Sequence, residues 1–181
     1  QWGFNKPFKI LYSGRIGRGT SSAVVSIAKA VDVLVNQGYD IVFQIQSTSM
    51  TDRFMSTIKR YENTVINPPL AYNELPEKFS SMDMLVLPID FDSQSLRFLR
   101  LSMPTKTSEY MSTSTPILVY APECTALSRY ANREGWGFVV SQNNINELAA
   151  AIKCLYSDES LRKKIGLRAK EVARVNHDAV R

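Results

Sequence analysis

Two stretches of this chain carry side chains whose types and spacing suit the chemistry of a phosphorylated ligand. Gly14-Arg15-Ile16-Gly17-Arg18-Gly19 sets two guanidinium groups and a run of backbone amides in one glycine loop. An arginine fork pairs two phosphate oxygens at once, and turn amides take others. The second stretch is Pro104-Thr105-Lys106-Thr107, with Glu109 beyond it. Pro104 suits the first position of a helix, because its missing N–H costs nothing there and its φ is already helical. The spacing therefore predicts that the amides of Thr105, Lys106 and Thr107 lie free at the positive end of a helix, ready for an anion. Lys106 adds a charge at that mouth. Glu109, three residues on, shares its helical face, within reach of whatever the helix end binds. The competing reading is bland: a tight turn with solvated arginines, and an exposed Lys106–Glu109 pair worth under ~0.5 kcal/mol.

Other titratable residues carry weaker signals. Asp90 and Asp92 follow an apolar run, where paired acids in a loop are more often solvated than functional. Arg97 and Arg100 flank the apolar Phe98-Leu99, and the same plain reading suits them. His177 is the only histidine and falls near the end of a polar helical tail, so histidine triads and multi-histidine metal sites are excluded. Cys124 and Cys154 are far apart without a C-x-x-C, which fits a reducing cytoplasm and leaves no metal or cofactor expected.

These residues must be positioned by a scaffold, and its pattern is regular. Strands are expected at Lys9–Ser13, Asp40–Gln46, Thr64–Asn67, Asp83–Ile89, Ile117–Tyr120 and Gly137–Val140. Helices are expected from Thr20 to Val35, over Thr51–Tyr61 and Tyr72–Ser81, from Pro104, and over Thr125–Glu134, Ile145–Tyr156 and Glu159–Val175. Asp90–Met103 reads as a long loop. Alternating apolar strands and helices specify a doubly wound, Rossmann-like α/β fold with a parallel six-stranded sheet covered on both faces. With strand order 3-2-1-4-5-6, strands one and four meet at the switch point, and ligands bind outside their carboxyl ends. The glycine loop and the Pro104 helix both line that crevice.

At 181 residues and 44% hydrophobic content, the chain suits one domain over 1–181. Its net charge of +5 is dispersed, and aromatic residues are not interleaved with basic ones, so nucleic acid is not the expected partner. No stretch approaches the ~20 apolar residues of a membrane span. The chain opens on Gln1 and ends on Val180-Arg181, which reads as an excerpt of a longer, two-domain protein.

The order S-x-P-T-K-x-x-E-Y-M, a small-residue turn, then proline and ILVYAPE, resembles the nucleotide-sugar-binding C-terminal half of GT-B-fold glycosyltransferases of the group 1 type. The resemblance runs from the Ser13-Gly14-Arg15 segment to the helical tail. It implies a hexosyl-transferring enzyme of glycan biosynthesis whose donor is a UDP- or GDP-linked sugar. Glu109 then binds the ribose hydroxyls. Gly14, Arg15, Arg18, Thr105 and Lys106 hold the donor diphosphate, with Arg15 and Lys106 as the catalytic pair. The acceptor, a glycan or lipid, is held by an N-terminal domain absent here, so the chain alone is expected to be inactive. A cytoplasmic protein associating peripherally with the inner face of the membrane is the matching location. Two departures stand out. The loop is shorter than usual and lacks the family's later lysine, leaving Arg18 as the substitute, and Leu101 occupies the position of an earlier glutamate.

Rival functions fit less well. A dinucleotide-binding module of an oxidoreductase needs G-x-G-x-x-G and an acid ending the second strand, which here closes on Gln44 and Gln46. A phosphorylation receiver needs an acidic cluster after the first strand. A nucleotide-sugar epimerase shares the GT-B fold but would want a histidine in the crevice.

Overall fold

The computed structural model describes residues 6–177. Gln1 and Val180-Arg181, on which the excerpt reading rests, lie outside them. The elements run β1 (Phe8–Ser13), α1 (Ser21–Asn36), β2 (Ile41–Gln46), α2 (Asp52–Ile58), β3 (Thr64–Asn67), a 3-10 turn (Tyr72–Glu74), α3 (Leu75–Ser80), β4 (Met84–Pro88) and α4 (Ser93–Leu99). After these come α5 (Lys106–Ser112), β5 (Ile117–Tyr120), α6 (Ala126–Glu134), β6 (Phe138–Val140), α7 (Ile145–Ser157) and α8 (Glu159–Asn176).

The strands form one parallel sheet in the order β3-β2-β1-β4-β5-β6. Every residue of β4 and β5 is buried, as a sheet covered on both faces requires. The pleat sends Ile10, Phe43, Ile45 and Val86 to one face, where they pack with Val24, Ile27 and Val31 of α1 and Leu148 and Ile152 of α7. Leu11, Leu85, Leu87 and Val119 point the other way, onto Phe79, Tyr110, Leu127 and Ala169. No described helix is long and apolar enough to cross a membrane.

Three sequence expectations need correction. The segment read as a loop from Asp90 to Met103 contains α4. Asp92 caps it, one carboxylate oxygen accepting from the Ser95 amide at 2.9 Å and the other from the Ser95 hydroxyl at 2.6 Å. Only Ser95 of this helix is buried, so there is no apolar stripe for a periodicity argument to find. Secondly, the helix expected over Tyr72–Ser81 divides into the 3-10 turn and α3. Thirdly, α5 begins at Lys106 and not at Pro104, because the Thr107 amide turns back onto the Pro104 carbonyl at 3.0 Å. Thr107 therefore offers no free amide, and α5 is only seven residues long.

Candidate functional site

The crevice at the switch point is built from the carboxyl ends of β1, β2 and β4. Beyond Ser13 the glycine loop is held backbone by backbone. The Gly14 amide donates to the Gln46 carbonyl at 3.0 Å and the Ile16 amide to Ser49 at 3.4 Å. The carbonyl of Arg15 accepts from the Tyr12 hydroxyl at 2.7 Å and from the Thr20 hydroxyl at 3.1 Å. Burial raises the Tyr12 phenol to about 12, so it remains a neutral donor to that carbonyl. Gly19 takes a left-handed backbone with φ of +94°, and a Cβ there would collide with the Leu99 side chain. Its carbonyl accepts from the Asp90 amide at 2.8 Å.

Asp90 has a structural role. It is buried, and its carboxylate accepts from the Ala23 amide at 2.7 Å, satisfying the first turn of α1 from the end of β4. Burial pushes its carboxyl above the ordinary range, partly offset by the amides that point at it. Asp90 and Asp92 are thus helix caps, one buried and one exposed.

The opposite wall is the start of α5. One turn into this helix, Tyr110 is wholly buried, and its hydroxyl accepts from the Ser13 amide at 2.8 Å while donating to the Ser13 carbonyl at 3.3 Å. That side chain ties α5 to the end of β1. Within α5, Lys106 Nζ lies 2.8 Å from Glu109 Oε2, both side chains being partly buried. The ammonium also sits 5.9 Å from the ring centre of Tyr72 and 5.8 Å from that of Phe79.

Between the walls are two lobes that share Ser13, Gly14, Arg15, Thr105 and Lys106. One runs under Gln46, Ser47, Thr48, Pro69, Leu70 and Leu75. The other runs past Thr20, Leu87, Pro88, Ile89, Leu99, Ser102 and Pro104. Of the residues singled out from sequence, Gly14, Arg15, Thr105 and Lys106 are brought together here. Glu109 reaches the cleft through its pair with Lys106 and does not itself line either lobe. Arg18 is placed elsewhere: it lines a neighbouring hollow with Ser95, Phe98 and Leu99, its guanidinium 5.8 Å from the Phe98 ring centre. Among the described residues, no three His, Cys, Asp or Glu side chains could hold a metal ion.

Sequence reasoning missed Tyr12, Gln46 and Tyr110. Tyr110 follows Glu109 directly, but nothing in its type separates a core aromatic from one whose hydroxyl ties two walls together.

The family model described as glycosyl transferases group 1 matches residues 7–158. No curated protein sequence matches the chain. Among solved structures, the C-terminal domain of a glycosyl transferase group 1 family protein, LpcC, from Francisella tularensis superposes with a TM-score of 0.73 at 16% identity, covering 96% of this chain and 89% of that one. Sucrose-phosphate synthase from Thermosynechococcus elongatus gives 0.72 at 17% identity, covering 94% of this chain and 41% of that one. Anabaena HepE, solved with UDP-glucose, gives 0.71 at 14% identity, covering 96% and 46%. The chain thus spans most of an isolated C-terminal domain and less than half of the two longer proteins. These likenesses establish the fold as that of a GT-B C-terminal half.

Proposed function

The chain belongs to the glycosyl transferases group 1 family, and from that premise we propose that its cleft holds the nucleotide diphosphate of a nucleotide sugar. The observation that carries this is the junction of the two lobes, where Arg15 and Lys106 face one cavity from opposite walls beside Gly14 and Thr105. A diphosphate at that junction sends its nucleoside into one lobe and its sugar into the other.

The chemistry asked of the site is electrostatic. When the anomeric carbon–oxygen bond breaks, its electron pair stays on the diphosphate oxygen, and fixed cations and amides stabilise the charge that develops. Arg15 and Lys106 are the catalytic pair. Gly14 and Thr105 contribute backbone, and Glu109 accepts from the ribose hydroxyls. Lys106 starts out paired with Glu109, so the incoming diphosphate competes for the ammonium and leaves the carboxylate for the ribose. Arg18, over Phe98, is the proposed residue that the structure supports least.

In the whole protein this domain is the donor half, and an N-terminal domain supplies the acceptor, a glycan or lipid, at the inner face of the membrane. Sugar transfer, hexosyl in type, needs both. UDP is favoured as the first ligand to try because HepE, of the same fold, was solved with UDP-glucose. The comparisons lend the oxidoreductase reading no support. A crystal structure with UDP or GDP tests the proposal: the diphosphate should lie between Arg15 and Lys106, and a nucleotide bound anywhere else would overturn it.

A further inference from the structure

Gln46 ends β2, in register with Ser13 of β1 and Asn67 of β3, so the three residues form a polar row across the carboxyl ends of three strands. Phe43 and Ile45 pack toward α1, and strand alternation therefore sends Gln44 and Gln46 to the opposite face, the side of Leu75 and Phe79. There the two glutamines differ. The Gln44 side-chain oxygen accepts from Asn67 at 2.9 Å and from Lys78 Nζ at 2.7 Å. Gln46 is 4% exposed, and its Nε2 donates to the Pro68 carbonyl at 3.1 Å. That bond settles which end of the amide is which, since a carbonyl needs a donor. Its Oε1 is then a buried acceptor with no partner among the described residues.

Buried acceptors are almost always satisfied, and one left open beside a ligand cleft implies a donor supplied by the ligand. The lobe that Gln46 lines also presents Pro69, Leu70 and Leu75, an apolar slot suited to the faces of a flat ring. Pro68 and Pro69, which follow β3 at the mouth of this lobe, are exposed.

We propose that Gln46 selects the nucleobase, its Oε1 accepting the ring N–H of a base that carries one beside a carbonyl, as uracil and guanine do. Cytosine and adenine present a bare ring nitrogen at that edge, lone pair against lone pair. The assignment rests on the donor-site reading given above and deepens it.

The test is calorimetry on the chain with UDP, N3-methyl-UDP and inorganic pyrophosphate, repeated on Gln46→Leu. The expected result is that methylation weakens binding to the parent chain by roughly tenfold or more, as loss of a buried hydrogen bond requires. In Gln46→Leu the two nucleotides should bind with similar affinity. Equal binding of UDP and N3-methyl-UDP to the parent chain would overturn the Gln46 assignment and leave the donor site standing. Binding of neither nucleotide nor pyrophosphate would overturn both. The parent-chain comparison is decisive even if Gln46→Leu does not fold.

Discussion

The Tyr110 hydroxyl meets the Ser13 amide at 2.8 Å across 97 residues of sequence, tying α5 to the end of β1. One helix wall and one strand end of the cleft are therefore held by a single buried side chain. Tyr110→Phe keeps the ring and its edge-to-face contact with Phe79 but leaves the Ser13 amide without a partner. A buried donor left open costs about 1–3 kcal/mol, so urea unfolding should show a loss in that range. UDP affinity should fall as well, because Ser13 and Gly14 lose their fixed position. A variant as stable as the parent would show that the bond does not hold the cleft.

Asp90 makes a pH-dependent prediction. Its folded carboxyl is raised above the unfolded one, so the folded chain binds more protons in the interval between them. The stability it contributes is present below the ordinary carboxylate range and is lost as pH rises through the raised folded value. Asp90→Asn keeps a side-chain oxygen for the Ala23 amide and cannot titrate. The stability of the parent relative to Asp90→Asn should therefore fall as pH rises through and above the carboxylate range. A difference that is flat or rises with pH would contradict this placement.

Gly166 of α8 lies against the turn between α5 and β5, where Ser114 has a φ of +62°. A Cβ at position 166 would collide with the Ser114 carbonyl, which is backbone and cannot swing aside. Helix propensity favours alanine over glycine by ~1 kcal/mol, yet Gly166→Ala should destabilise the protein by about 1–3 kcal/mol or more. Thermal unfolding distinguishes the two, since a higher melting temperature would mean that propensity wins.

What the sequence made legible was the alternation of strands and helices. β4 and β5 are unbroken apolar runs, and α1 and α7 repeat their apolar residues at helical spacing, so strand order and switch point followed. Helix α4 was illegible because it buries only Ser95 and owes its start to a side-chain cap on Asp92. Gly14, Arg15, Thr105 and Lys106 announced themselves by type and spacing. Tyr110, Asp90 and Gln46 did not, because their roles depend on partners 97, 67 and 22 residues away. Arg18 carried the same charge signal as Arg15, but the left-handed turn at Gly19 and the packing of α4 place it beside Phe98.

The 2.8 Å pair between Lys106 and Glu109 separates two outcomes for one substitution. Glu109→Ala removes the proposed ribose acceptor and should weaken UDP binding by roughly one to two orders of magnitude, the worth of a hydrogen bond to a charged group. Pyrophosphate has no ribose and meets a freed Lys106, so the same variant should bind it at least as tightly as the parent. If UDP binding is unchanged, Glu109 is only a partner for Lys106.

The most direct measurement of the donor-site account is calorimetric titration of the chain, and of Arg15→Ala, with UDP, GDP and NAD at one salt concentration. The account predicts that the chain binds UDP or GDP in preference to NAD and that Arg15→Ala weakens the preferred diphosphate at least about tenfold, as loss of a charge-assisted contact implies. Binding of NAD with neither diphosphate bound, or an Arg15→Ala variant that binds UDP and GDP as the parent does, would contradict it.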